Sequence, residues 1–225
     1  MANVLVIAPH ADDEVLGCGG VIAKHRAQGY NVYVAIMTNA ALGAPELFKQ
    51  EQIDEVRAEA KKAHQLLDVT ETFFYNMPAP QLEQYPNYKI ASTLNQLIRE
   101  IQAHIVYVPH KGDLHLDHGA IYNAALVATR PVPGQTVKHV FAYETLSETE
   151  WGHPSADAVF IANKFVDISG TFLTKKLAAM SSFNSQLKPF PNSRSLQALE
   201  HQARLRGAAV GVMAAEAFSV LRTID

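Results

Sequence analysis

The chain predicts an α/β fold: a Rossmann-like, doubly wound, mainly parallel sheet with helices on both faces. Three observations predict it. Apolar runs of strand length (Val4–Ala8, Val32–Met37, Thr72–Tyr75, Ile105–Val108) alternate with longer segments of helical periodicity. Each intervening segment is long enough for a right-handed crossover between parallel strands. Two clusters of imidazole and carboxylate, His10, Asp12, Asp13 and His115, Asp117, His118, follow the first and fourth of these runs. An open sheet of this class places ligands beyond the carboxyl ends of its strands, at the point where strand order reverses.

In chain order, Val4–Ala8 reads as a buried strand, and Asp12 or Asp13 then caps a helix running through Val15, Leu16, Val21 and Ile22 to about Gly29. Val32–Met37 is the second strand. Leu47 to Leu67, rich in Glu, Ala, Lys and Gln, is helical, and Thr72–Tyr75 is a short aromatic strand. Ile90–Ile101 gives an amphipathic helix, Ile105–Val108 a strand, and Gly119–Thr129 a helix. Val137–Tyr143 and Ala158–Val166 read as further strands, separated by a polar stretch with Trp151, Gly152, His153 and Pro154 that is expected to be a mobile or substrate-facing loop. Pro189, Pro191, Asn192 and Ser193 interrupt the chain before a final helix over about Ser195–Ala217. With no repeat or linker, residues 1–225 are expected to form one domain.

Composition narrows the function classes. A net charge of -3 provides no basic field for a nucleic-acid partner. The N-terminal apolar run is too short for a membrane span and lacks a basic flank, which predicts a cytoplasmic protein. One cysteine, Cys18, excludes an internal disulfide framework and a Cys-rich zinc knot, so any metal must be held by histidine and carboxylate. Cys18 itself reads as a small core hydrophobe.

Adjacent Asp12 and Asp13 point about 100° apart at a helix start, so one can bind a metal while the other faces its water. His115 and His118, three apart, share a face, and either suits a ligand while the other donates a proton or hydrogen bond. Taken alone, Asp-Asp-Glu after a strand is more simply a helix cap, and His-x-x-His a loop end. Their joint placement at the two switch-point strands favours chemistry. Three protein ligands and a water are the usual composition of a catalytic zinc site.

Pro9-His10-Ala11-Asp12-Asp13-Glu14 with Gly17-Cys18-Gly19-Gly20, and Gly112-Asp113-Leu114-His115-Leu116-Asp117-His118, resemble the two signatures of the PIG-L/LmbE-like de-N-acetylases. The resemblance implies His10, Asp13 and His118 as zinc ligands and Asp12 as general base. It implies His115 as the group that stabilises the oxyanion or protonates the leaving amine, with Asp117 orienting His115. It implies removal of an N-acetyl group from an amino sugar of the N-acetylglucosamine type, in a glycoside, sugar nucleotide or conjugate. Cleavage of another amide, as in a thiol-sugar conjugate, and a non-catalytic sugar-binding protein are the competing readings. Zn²⁺ is the expected metal, with Fe²⁺, Co²⁺ or Ni²⁺ suited to the same donors. Asn39, Arg57, Tyr143 and Arg194 stand as candidate substrate contacts, and a homo-oligomer is a further expectation. The chain departs from relatives at Thr38-Asn39-Ala40 and Met77-Pro78-Ala79-Pro80, positions that bear on substrate. His25, His64, His104, His139, His153 and His201 read as incidental to any metal.

Overall fold

Strand β1, Asn3–Ala8, lies in the interior of a seven-stranded sheet in a computed structural model that describes residues 2–224. It is followed by α1 (Asp13–Ala27), β2 (Asn31–Asn39), the short α2 (Ala40–Gly43), α3 (Gln50–Leu66), β3 (Glu71–Pro78), α4 (Asn87–Glu100), β4 (Ile105–Pro109) and α5 (Leu116–Ala128). Next come β5 (His139–Tyr143), β6 (Lys164–Asp167), α6 (Thr171–Met180), α7 (Leu196–Ala208) and β7 (Ala215–Thr223). The strand order is β3-β2-β1-β4-β5-β7-β6. The first five of these strands are mutually parallel, and β7 runs antiparallel between β5 and β6. The expected neighbourhood of first and fourth strands is present, with Val6 opposite Tyr107.

Alternation along the strands sorts side chains onto two faces. Val4, Val6 and Ala8, with Val34, Tyr107 and Phe141, face a cluster shared with α1, α3 and α6. Leu5 and Ile7, with Ala35, Val106 and Val108, face α4 and α5. The central strands are apolar on both faces because helices cover both. Helix α1 approaches the sheet closely at Gly17, where a Cβ would overlap the ring of Tyr143. That contact accounts for the glycine.

The C-terminal region differs from expectation. The helix expected to reach Ala217 ends at Ala208, and Ala215–Thr223 is a strand. Gly207 lies so close to Val212 and Ala214 that a side chain would not fit, and Gly211, at φ +77°, turns the chain back toward the sheet. The strand expected over Ala158–Val166 is confined to Lys164–Asp167, and α6 stands where no helix was expected. Helix α5 begins at Leu116, three residues earlier than expected, because His115 caps it: its Nδ1 accepts the Asp117 amide at 3.2 Å. Among the described residues no helix is long and apolar enough to cross a membrane.

Candidate active site

The turn leaving β1 carries His10, Asp12 and Asp13, and the turn leaving β4 carries Asp113 and His115 into the first turn of α5, where Asp117 and His118 lie. Because β1 and β4 pair side by side, the two turns meet. His10 Nε2 lies 3.1 Å from Asp117 Oδ2, and His118 Nε2 lies 3.3 Å from Asp13 Oδ2. The ring centroids of His10 and His115 are 4.4 Å apart. The site comprises residues about a hundred positions apart in the sequence.

Asp12 is held in an unusual backbone conformation, φ 124°, which costs a non-glycine residue about 1–3 kcal/mol. Its neighbours impose the turn: the Asp12 carbonyl accepts the amides of Val15 and Leu16 to start α1, and its own amide donates to Glu14 Oε2 at 3.1 Å. Glu14 is in turn fixed by His64, whose Nε2 lies 2.9 Å from Glu14 Oε1 and whose Nδ1 lies 2.8 Å from Thr72 Oγ1. The geometry turns the Asp12 carboxylate into the cleft, with Oδ2 3.4 Å from Arg194 Nη1.

His10, Asp13 and His118 offer one ligand atom each, all within 4.8 Å of one another, and so do His10, His115 and Asp117. The donor chemistry separates the two sets. Asp117 has spent both oxygens, Oδ1 on the Leu82 amide at 3.0 Å and Oδ2 on His10 Nε2. In the first set, by contrast, Asp13 Oδ1 and His118 Nε2 are buried and have no hydrogen-bond partner among the described residues. Buried polar atoms are rarely left so. Two imidazoles and a carboxylate with unspent lone pairs fit a divalent transition metal.

The second layer completes the fit. His118 Nδ1 donates to Asp113 Oδ2 at 2.8 Å, and Asp113 Oδ1 accepts from Thr149 at 2.6 Å. His10 Nε2 faces Asp117, which leaves Nδ1, 3.3 Å from Asp13 Oδ2, on the metal side. Carboxylates of this kind fix the ring orientation and raise the basicity of ligand histidines. The Asp117 carboxylate therefore serves His10 at 3.1 Å rather than His115, whose Nδ1 is 3.9 Å away; His115 is oriented instead by the Asp117 amide.

Charge is redistributed accordingly. Burial lowers the His10 and His118 pKa values, but hydrogen bonds from Asp117 and Asp13 outweigh it at His10, and the Asp13 charge with the Asp113 hydrogen bond at His118; the values rise to about 9 and about 10. Burial pushes Asp13 up, yet His118 and His10 hold it well below the usual carboxylate range. Protons and a cation compete for these lone pairs. Burial raises Asp12 to about 7 against the opposing charge of Arg194. Burial and the positive charge on His10 lower His115 to about 4.

The cleft, about 310 Å³, is lined by His10, Asp12 and His115 together with Arg57, Arg194, Gln186 and Glu148. Two of the four candidate substrate contacts, Arg57 and Arg194, reach it. Tyr143 does not: it is fully buried, packed on Gly17, and its hydroxyl donates to the Ile7 carbonyl at 2.9 Å. Asn39 is a cap, its Oδ1 accepting the Ala41 amide and its Nδ2 donating to Gln50 and Asn76. Both are corrections to the sequence reading, and both arise because these residues end strands whose tips are covered. Glu148 carried no sequence signal. It lies in the loop after β5, its Oε2 accepts the His115 amide at 3.1 Å, and burial raises its pKa. Asp113 was visible within the second signature.

Fold and site together define an α/β scaffold with a cluster of histidine and aspartate, able to hold a metal ion, at the switch point of a mainly parallel sheet. Residues 5–129, more than half of the chain, match the family described as PIG-L: GlcNAc-PI de-N-acetylase, and the chain belongs to that family. It is 27% identical to the "Uncharacterized deacetylase YaiS" of Escherichia coli over 81% of this chain and 91% of the relative. It is 26% identical to the Bacillus cereus protein named "Probable N-acetyl-alpha-D-glucosaminyl L-malate deacetylase 2", over 82% of this chain and 83% of the relative. A crystal structure of a conserved protein of Thermus thermophilus superposes over 100% of this chain and 97% of its own, with a TM-score of 0.79 and 25% identity. With deacetylases as its relatives, the chain is a deacetylase, a hydrolase of amide bonds.

Proposed function

We propose that this chain is a zinc-dependent hydrolase that removes the acetyl group from an N-acetylated amino sugar. The observation that carries the reading is the pair of buried, unpartnered atoms, Asp13 Oδ1 and His118 Nε2, on two residues that cluster with His10, beside a carboxylate oxygen of Asp12 that makes no hydrogen bond among the described residues. His10, Asp13 and His118 would hold the metal, which when bound supplies a Lewis acid for the acetyl carbonyl and a more acidic water.

Asp12 is the general base. Its Oδ2 is buried, faces the cleft, and makes no hydrogen bond among the described residues, so it is free to accept a proton from the attacking water. As the water oxygen adds to the amide carbon, that proton moves to Asp12. It passes on to the amine nitrogen as the C–N bond breaks, releasing acetate and a free amine. Arg194, 3.4 Å from Asp12, keeps the carboxylate oriented through the cycle. His115 donates to the developing oxyanion. Its Nδ1 accepts the Asp117 amide, which assigns the proton to Nε2, the nitrogen left to point at substrate. The neutral tautomer suits hydrogen-bond donation better than proton delivery to the amine.

The test is Asp12→Ala. Bound metal, measured by elemental analysis, is retained, and acetate release from N-acetylglucosamine-type substrates falls by about 10²–10⁴. Unchanged turnover removes Asp12 from the mechanism. His118→Ala loses metal, whereas a variant with full metal content overturns the ligand assignment.

A further inference from the structure

The cleft in front of Asp12 has two walls of opposite character. Near the histidine and aspartate cluster its lining is polar: His115, Glu148, Gln186 and Arg194. The wall built by the start of α3 and the segment after β3 presents carbon at Phe48, Ile53, Val56, Ala79 and Pro80, with Thr38, Gln52 and Arg57 at its edges. Ile53 and Val56 stand three apart on α3 and share a face. Phe48 lies two residues before that helix and is 38% exposed, so its ring is available at the mouth of the cleft.

The charge at the polar end of the cleft is paired internally. The Arg194 guanidinium is 3.4 Å from Asp12 and 3.7 Å from Glu148. Arg57 donates through Nη2 to the carbonyls of Thr38 and Tyr75 and to Asn76 Oδ1, and its guanidinium carbon lies 5.3 Å from the centroid of the Phe74 ring. A phosphate or carboxylate at the polar end would meet Asp12 and Glu148 beside Arg194, the cation they already pair with.

We infer that the substrate is a neutral amphiphile, a glycoside whose sugar lies at the polar end and whose apolar aglycone, alkyl or aryl, lies against Phe48, Ile53 and Val56. This rests on the deacetylase reading above and adds the class of acceptor. Each methylene moved from water onto such a wall is worth roughly fourfold in affinity, so three covered methylenes separate a hexyl from a methyl glycoside by about 60-fold.

The experiment uses the zinc-loaded full chain and three substrates: methyl and hexyl glycosides of N-acetylglucosamine with the same anomeric configuration, and N-acetylglucosamine 1-phosphate. The hexyl glycoside is expected to exceed the methyl by about 60-fold in kcat/KM, mostly through KM, with the 1-phosphate no better than the methyl. Ile53→Asn compresses the hexyl-to-methyl ratio toward one. Calorimetry of the deacetylated hexyl and methyl amines on Asp12→Ala supplies a readout without turnover: the hexyl amine binds more tightly, with the more negative heat-capacity change. If no glycoside loses acetate, the reaction assignment fails, and calorimetry still decides the wall. If acetate is released but methyl and hexyl are equal, or the 1-phosphate is preferred, the amphiphile inference is overturned and the deacetylase stands.

Discussion

Replacing His64 by Leu tests how the catalytic turn is held. The imidazole is 4% exposed, the Glu14 side chain fully buried, and the contact between them is 2.9 Å. Losing it strips a buried carboxylate of a charge-assisted hydrogen bond, about 1.5–3 kcal/mol, and leaves Thr72 Oγ1 without its partner at 2.8 Å, about 1 kcal/mol more. Leucine keeps much of the volume, so the cavity contribution is small. The expected loss is about 2.5–4 kcal/mol. It is read as a fall in the urea midpoint at constant m-value. Because Glu14 Oε2 also holds the Asp12 amide, kcat falls with little change in KM. A Glu14→Leu, His64→Leu double variant costs less than the sum of the singles, since neither partner is left behind. Two singles that add to within about 0.5 kcal/mol would show that the pair is not coupled, and the account of the strained turn would go with it.

Tyr143→Phe removes a buried hydroxyl that donates to Ile7, so stability falls by about 1 kcal/mol while KM is unchanged; a raised KM would restore Tyr143 as a substrate contact. His25 supplies a pH dependence. Burial, with the charges of Lys164 and Lys24, lowers its pKa from 6.5 to about 4. The unfolded chain therefore binds the His25 proton first as pH falls, and the stability held in full above pH 6.5 is lost progressively down to pH 4. The loss amounts to at most about 3 kcal/mol. His25→Gln flattens the stability profile over that window in urea titrations, and an unaltered profile would remove His25 as its source.

Much of the fold was legible because parallel strands buried on both faces read as continuous apolar runs, and because the crossovers between them carry helical periodicity. β1, β2 and β4 fall where their runs lie, and the order that brings β1 beside β4 follows from the doubly wound topology. The C-terminal region was not legible. Ala215–Phe218 is short and apolar enough to extend a helix, and only the close approach at Gly207 and the turn at Gly211 commit it to the sheet beside β5. The family, the deacetylase class and the two motif clusters could be recognised in the sequence, since each cluster is contiguous in the chain.

What the linear order of residues determined by itself is which side chains stand at the tips of β1 and β4, because local periodicity and strand length are short-range properties. Which partner each of them meets was decided by tertiary structure alone. Asp117 serves His10 and not His115, His64 reaches Glu14 across fifty positions, and Glu148 enters the cleft from a loop without regular pattern. Such pairings depend on distances of a few ångströms between separate elements, and these are set by how helices and sheet pack, which no local pattern encodes.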